Sequence, residues 1–299
     1  MFNFLKKRKV VVTHDGSFHT DDVFAVATLS IYYKGRIKVI RTRDEKIIKR
    51  GEIVLDVGGI YDPEKNRFDH HQKEGAGVRE NGIPYASFGL IWKHFGLKIC
   101  ENNEEVFKYI DDKVCSGIDA GDNGFDIEKE NTGKRIYEIG AILGSFNPSW
   151  EEEGREYIHF LEAVQFAKAL LQREIKSATS YLKGRKIIEE AYKNSPDKKI
   201  IEIKETIPRY IFQAILSELP EPLFLIEPSR MGWKAECIKK NPTTYESRNP
   251  FKKEWGGLQE EDLRSVSGVP DAIFCHRGNF LCIAKSKEGV LKLVEDSLK

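Results

Sequence analysis

Four of the seven histidines in the chain lie within the first 71 residues, in two short motifs that also contain aspartate. The first motif spans residues 13–22 and holds His14, His19 and three carboxylates, directly after an apolar run. Imidazole and carboxylate groups together suit manganese, iron or zinc. Asp21 or Asp22 could instead cap the helix that follows, so this motif alone leaves both interpretations open.

The second histidine motif contains three consecutive candidate residues, Asp69, His70 and His71. Adjacent side chains on an extended segment point in opposite directions, so both imidazoles are not expected to bind one ion in the same way. We expect one imidazole to bind metal and the other to contact the substrate. Asp69 could accept the second N–H of an imidazole and fix its orientation. A charged surface loop is the alternative.

Two further motifs place aspartate beside glycine. Asp56 follows an apolar run and precedes two glycines, which let a ligand approach the backbone. Asp119 and Asp122 lie in a later segment that could also form an ordinary turn. Two divalent ions about 4 Å apart would need roughly six or seven such ligands, including a bridging carboxylate. The candidates are His14, His19, Asp21, Asp56 as the bridge, His70, and either Asp119 or Asp122.

The apolar pattern predicts the elements that would bring these motifs together. Short apolar runs at 10–12, 37–40 and 53–55 predict strands, and 21–33 predicts a helix. This order indicates an open parallel sheet, in which sites lie at the carboxyl ends of the strands. Helices are also predicted at 87–95, 104–117, 134–143, 149–193 (one helix or two) and 287–298, and strands at 199–203, 223–226, 233–238, 272–275 and 280–284.

Composition limits the class of protein. Hydrophobic residues make up 40% of the 299 residues and charged residues 32%, which provides a core and excludes a disordered chain. The net charge of +1 does not indicate a general nucleic-acid binder, although a local basic groove is compatible with it. Five dispersed cysteines without a C-x-x-C pair predict reduced thiols. We expect a soluble, cytoplasmic protein with no membrane partner, because no apolar run could cross a bilayer and no secretory signal is present.

Taken together, the motifs resemble those of the melanocyte-proliferating-gene family, a branch of the DHH phosphoesterase superfamily. The resemblance is carried by residues 13–22, 56–63, 69–72 and 122–124. Similar segments occur later in the chain, at 248–250, 255–258, 267–270 and 274–276. The resemblance therefore spans nearly the full length.

The resemblance implies an α/β fold in three parts. Residues 1–148 would form a DHH-like catalytic domain, with a mainly parallel sheet flanked by helices. Residues 149–195 would form a helical connector, and 196–299 a smaller α+β domain that binds substrate. Cationic and imidazole groups of that last domain are candidates for binding phosphate: Arg230, Arg248, Arg264, His276, Arg277 and Lys285.

The resemblance also implies how the motifs share the chemistry. His14, His19, Asp21, Asp56 and His70 would bind two divalent ions, together with Asp119 or Asp122. Manganese is our first choice, and magnesium, iron and zinc also suit these ligands. His71 would face the scissile phosphate as a catalytic residue, with Asp69 beside it.

We therefore predict a metal-dependent phosphodiesterase. A eukaryotic member of the family is regarded as an RNA exonuclease that works from the 3′ end, which implies RNA or short oligonucleotides as substrate. Two alternatives remain open. The near-neutral charge favours a phosphatase or pyrophosphatase acting on a small nucleotide. The same ligands would also suit a metal-binding regulatory protein without turnover.

Overall fold

The structure is a computed structural model that describes residues 7–125, 137–152 and 154–299. Over these residues the protein has an α/β fold with two mixed sheets. The chain divides into two compact units, Met1–Thr179 and Ser180–Lys299, and the division falls inside a long helix. The three-part division by function stays a prediction.

The first unit alternates strands and helices before it becomes mainly helical. Its elements are β1 (Lys9–Thr13), α1 (Thr20–Tyr32), β2 (Ile37–Arg41), α2 (Glu45–Arg50), β3 (Ile53–Leu55), β4 (Tyr61–Asp62), β5 (Arg67–Phe68), α3 (Ser87–Ile99), α4 (Glu104–Ile110), α5 (Ser116–Asp122), α6 (Ile139–Gly144) and the start of α7 (Glu156–Asn194).

The first sheet has the strand order β2-β1-β3-β5-β4. Neighbouring strands from β2 to β5 are parallel, and β4 runs antiparallel to β5. Val11 and Val12 of β1 are fully buried, as a strand covered on both faces requires. Helices α1 and α3 pack against each other, and Ile48 of α2 packs against Val12 and Val54.

The predicted elements that frame the site are confirmed to within two residues: the strands at 10–12, 37–40 and 53–55, and the helix at 21–33. The predicted helix at 104–117 is interrupted, because a π-helical turn (Asp111–Cys115) separates α4 from α5. The predicted segment 149–193 forms one continuous helix that begins at Glu156. Part of the predicted helix at 134–143 lies outside the described residues.

The second unit is a mixed sheet with helices packed on it. Its elements are the end of α7, β6 (Ile200–Glu202), α8 (Arg209–Leu216), β7 (Phe224–Ser229), β8 (Gly232–Cys237), α9 (Glu260–Ser267), β9 (Ala272–Cys275), β10 (Leu281–Ala284) and α10 (Lys287–Ser297). The strand order is β6-β7-β8-β10-β9, and the pairings are antiparallel except that between β6 and β7.

Successive side chains of β7 pack on opposite faces of this sheet, and both faces are covered by helices. Phe224 and Ile226 pack in one apolar cluster with α9 and α10, whereas Leu225 packs in another with α8 and the end of α7. The predicted strands of this region and the final helix are confirmed, with ends that differ by up to three residues.

Within the described ranges, every helix is too short or too polar to span a membrane.

Candidate metal centre

Three parallel strands deliver the histidine and aspartate motifs to one edge of the first sheet. β1 ends at Thr13, immediately before His14, and β3 ends at Leu55, immediately before Asp56. β5 ends at Phe68, immediately before Asp69 and His70. Because these strands are parallel neighbours, their carboxyl ends meet, and the side chains that follow them converge.

Asp56 lies at the centre of the cluster. Oδ2 of Asp56 lies 3.2 Å from Nε2 of His14, and Oδ1 of Asp56 lies 3.2 Å from Nε2 of His70. The hydroxyl of Ser87, at the start of α3, donates to Oδ1 of Asp56 over 3.1 Å. Asp56 has a left-handed backbone, with φ of 54°, a conformation that aspartate and asparagine tolerate better than most residues. This turn aims the carboxylate at both histidines.

Helices α1 and α5 contribute the remaining aspartates. Oδ2 of Asp22 lies 3.2 Å from Nε2 of His14, and Oδ2 of Asp122 lies 3.3 Å from Nε2 of His70. Asp21 is fully buried, and its Oδ2 accepts a hydrogen bond from the backbone N–H of Ser87. The centre therefore combines ligands from three strand ends and two helices.

Several buried ligand atoms in this cluster lie as close as 3.2 Å to one another but form no hydrogen bond of good geometry among the described residues. An unpaired buried polar atom costs about 1–3 kcal/mol, so a concentration of them in one place needs a cause. A cation bound among the nitrogen and oxygen atoms would satisfy them together, and the donor set fits a divalent ion. These atoms are His14 Nε2, Asp21 Oδ1, Asp22 Oδ2, Asp56 Oδ2 and His70 Nε2.

The electrostatics of the cluster also favour a bound cation. Burial raises the pKa of Asp21 well above its usual value, and the carboxylates of Asp56 and Asp122 raise it further. Burial alone would raise the pKa of Asp56 too, but the adjacent His14 and His70 reverse that effect and lower it. A divalent cation would relieve the repulsion between these carboxylates, which water cannot screen at such depth.

Three groups of side chains offer ligand atoms within 4.8 Å of one another: His14, His19 and Asp56; Asp56, His70 and His71; and His19, Asp21 and Asp122. Asp56 is shared by the first two groups, as a bridging carboxylate would be. His19 is shared by the first and third groups and is exposed. The residues present thus fit a divalent metal.

His71 differs from His70 in exposure. The side chain of His71 is 60% exposed, against 7% for His70. Oδ1 of Asp69 lies 2.8 Å from Nδ1 of His71, and Oδ2 of Asp69 accepts from the backbone N–H of Gly59. Asp69 therefore fixes the ring of His71 and leaves its Nε2 facing outward.

The two candidate aspartates of the fourth motif lie in different surroundings. Asp122 borders His70 and His19, whereas Asp119 is fully buried, with Oδ2 2.8 Å from Arg79 and Oδ1 accepting from the backbone N–H of Gly89. Asp119 belongs to none of the three ligand groups of the described residues. Asp122 therefore lies in the histidine–aspartate cluster, whereas Asp119, on the same helix, lies in a buried ion pair with Arg79.

The candidate phosphate-binding residues all lie in the second unit. Arg248 donates to the backbone carbonyls of Leu219, Pro222 and Ser217, so its guanidinium is occupied within the fold. Arg264 likewise pairs with Glu260 and donates to a backbone carbonyl. Four candidates are exposed or half-buried: Arg230, His276, Arg277 and Lys285.

Sequence reasoning did not assign a site role to Asp22, Ser87 or Arg79. Asp22 was one of three carboxylates of the first motif and a candidate helix cap; its Oδ1 does accept from the backbone N–H of His19, and its Oδ2 also adjoins His14. Ser87 and Arg79 carry no signal in the sequence, because each meets its partner through contacts with residues more than 30 positions away.

The fold and the cluster define an α/β protein with a histidine–aspartate centre suited to divalent metal. A family model described as "Uncharacterised protein family (UPF0160)" and labelled MYG1_exonuc matches residues 10–298. The chain belongs to this family, which confirms the resemblance to the melanocyte-proliferating-gene family.

Relatives from distant organisms match over nearly the whole chain. The proteins named "MYG1 exonuclease" of Bos taurus and Homo sapiens are 30% and 31% identical, with 96% of this chain aligned to 84% and 85% of theirs. The "MYG1 protein" of Chlamydia pneumoniae is 32% identical, with 96% of each chain aligned. No solved structure matches the chain significantly.

Proposed function

We propose that the protein is a metal-dependent phosphodiesterase that removes nucleotides from RNA or short oligonucleotides as an exonuclease. The observation that carries this proposal is the buried cluster of histidine and aspartate ligand atoms around Asp56, which lie close together without hydrogen bonds of good geometry. The names of the bovine and human relatives support the same activity. We also infer that residues 1–148 form a DHH-like catalytic domain, because their motifs follow successive parallel strands.

When bound, two divalent ions would supply an activated water and neutralise charge on the phosphate. His14, His19, Asp21, Asp56, His70 and Asp122 would hold the ions, with Asp22 beside His14. The ring of His71 is held through Nδ1 by Asp69, so its Nε2 is available to contact a phosphate oxygen. Ser87 would hold Asp56 in the orientation that lets both carboxylate oxygens act as ligands.

We further propose that the second unit binds the part of the substrate remote from the reacting phosphate. His276, Arg277 and Lys285 offer side chains that the fold leaves accessible. Binding energy from remote parts of a substrate acts on the rate as well as on affinity. Loss of these side chains should therefore reduce the rate on long substrates more than on short ones.

The test is a panel of substrates with purified, manganese-loaded protein and the same protein in excess chelator. The panel contains single-stranded RNA, single-stranded DNA, dinucleotides and pyrophosphate. Metal-dependent shortening of RNA supports the proposal, and end-labelled RNA gives the polarity. Hydrolysis of pyrophosphate or dinucleotides alone would support the small-nucleotide alternative. Metal binding without turnover on any substrate would contradict an enzymatic role.

A further inference from the structure

A cavity of about 580 Å³ adjoins the candidate metal centre. Its walls come from the segment between β1 and α1, from α5, and from α6 with the residues after it. His19 and Asp122 line it, and both belong to the ligand group that also contains Asp21. Asp21 itself is fully buried and is not among the described residues of the cavity wall. A ligand in the cavity would therefore lie next to a group bound at the metal centre.

The described walls of the cavity offer a phosphate no cationic side chain. The described residues that line it include no lysine or arginine, and they include the carboxylates of Asp122 and Glu138. An anion placed there would be repelled rather than bound. The walls suit an uncharged group instead, because Phe18, Ile118 and Ile139 supply apolar surface.

Glycines give the cavity flat walls. Gly117 and Gly121 are four residues apart on α5, and Gly140 and Gly144 are four residues apart on α6. Residues at this spacing lie on one face of a helix, so each helix presents bare backbone to the cavity. Flat walls between two helices would admit a planar ring.

Two polar groups in the cavity could orient such a ring. A Cβ built on Gly140 would lie 3.6 Å from the hydroxyl oxygen of Thr20 and 3.9 Å from Oε1 of Glu138. These two oxygens therefore lie on the same part of the wall. Glu138 precedes α6 but makes no capping hydrogen bond with its side chain, so the carboxylate can accept N–H groups from the edge of a base.

We propose that this cavity binds the base of the nucleotide whose phosphate lies at the metal centre. The proposal rests on the proposed function, and it adds the place where the base of such a substrate binds. The volume falls within the range of about 300–1,000 Å³ that is usual for small-molecule sites. The phosphate would bind at the cationic centre and the uncharged base in the uncharged part of the cavity.

The variant Gly117→Leu tests the proposal by filling the cavity. A Cβ at Gly117 meets no atom within 4 Å, and its backbone is helical, so the new side chain enters open space without strain. Leucine also has the higher helix propensity, by about 1 kcal/mol, so the fold should be preserved. The control is Gln172→Leu, which adds leucine at an exposed position of α7.

The first measurement is calorimetric titration of the manganese-loaded protein with adenosine 5′-monophosphate, cytidine 5′-monophosphate and ribose 5-phosphate. The wild-type protein and the control should bind the nucleotides at least ten-fold more tightly than the sugar phosphate. Gly117→Leu should abolish that difference while its affinity for ribose 5-phosphate stays the same. Equal affinities in the wild-type protein, or an unchanged preference in Gly117→Leu, would overturn the proposal.

The second measurement compares hydrolysis of a dinucleotide with that of the same compound lacking its terminal base. Gly117→Leu should raise KM at least ten-fold for the first and leave the second unchanged. An equal effect on both substrates would overturn the proposal, because the cavity would then not recognise the base. If the wild-type protein hydrolyses neither compound, the proposed function fails while the titration still decides whether the cavity binds nucleotides.

Discussion

Replacing Asp56 with asparagine removes one charge from the centre of the site and keeps the shape of the side chain. Asparagine is also among the residues that tolerate the left-handed backbone found here, so the turn after β3 should persist. The hydroxyl of Ser87 can still donate to the remaining carbonyl oxygen. The change therefore acts on charge rather than on the fold.

The magnitude follows from burial and from the number of partners. Asp56 is 3% exposed and lies 3.2 Å from both His14 and His70, so water does not replace the lost charge. Removing one partner from a buried ionic group costs about 3–5 kcal/mol. The same loss of stabilisation in the transition state corresponds to a rate lower by roughly 10²- to 10⁴-fold, with 10³-fold as the central value.

The assay measures manganese content by mass spectrometry and the rate of RNA hydrolysis for Asp56→Asn. Asp44→Asn serves as the control, because Asp44 is an exposed cap of α2 and asparagine caps a helix equally well. Metal content and rate should fall together in Asp56→Asn and stay unchanged in the control. Full metal occupancy and a normal rate in folded Asp56→Asn would refute the bridging role.

Three further predictions concern the surroundings of Asp56. His70→Ala should lose bound metal, because His70 is buried among carboxylates. His71 is exposed, so His71→Ala should keep bound metal and hydrolyse RNA more slowly. Equal metal loss in both variants would overturn this division. Gly89→Ala should lower the free energy of unfolding by about 3 kcal/mol or more in denaturant titration, since its Cβ would lie 1.8 Å from a carboxylate oxygen of the buried arginine–aspartate pair. Gly117→Ala, with open space around its Cβ, should be stabilising by up to about 1 kcal/mol, and similar values for the two variants would contradict the account. Trp150 is 90% exposed beside the segment that leads to the metal centre, and we expect it to stack on a base of RNA. Trp150→Ala should raise KM for oligonucleotides roughly ten-fold, and Trp150→Phe should restore it. A normal KM in Trp150→Ala would exclude the contact.

The strands and helix that carry the site were predictable because their patterns are local. The valines of β1 form a β-branched run, and the polar residue that follows marks where the strand ends. β4 and β5 contain two residues each, too few to show alternation, so no pattern indicated that β5 delivers Asp69 and His70 to the sheet edge.

The roles of Asp119 and Asp122 were not separable from the sequence, because both lie in one Asp- and Gly-rich segment. Their difference comes from a residue 40 positions earlier, Arg79, which pairs with Asp119 inside the fold. The π-helical turn before α5 also changes which face of the helix each side chain occupies. Tertiary contacts of this kind leave no periodic signal.

Anomalous diffraction from manganese-soaked crystals tests the central claim most directly, because it locates ions without reference to activity. The account predicts two peaks about 4 Å apart on opposite sides of the Asp56 carboxylate, one beside His14 and the other beside His70. Peaks only at other surface carboxylates, or no peak within coordination distance of Asp56, would contradict a metal centre at this site.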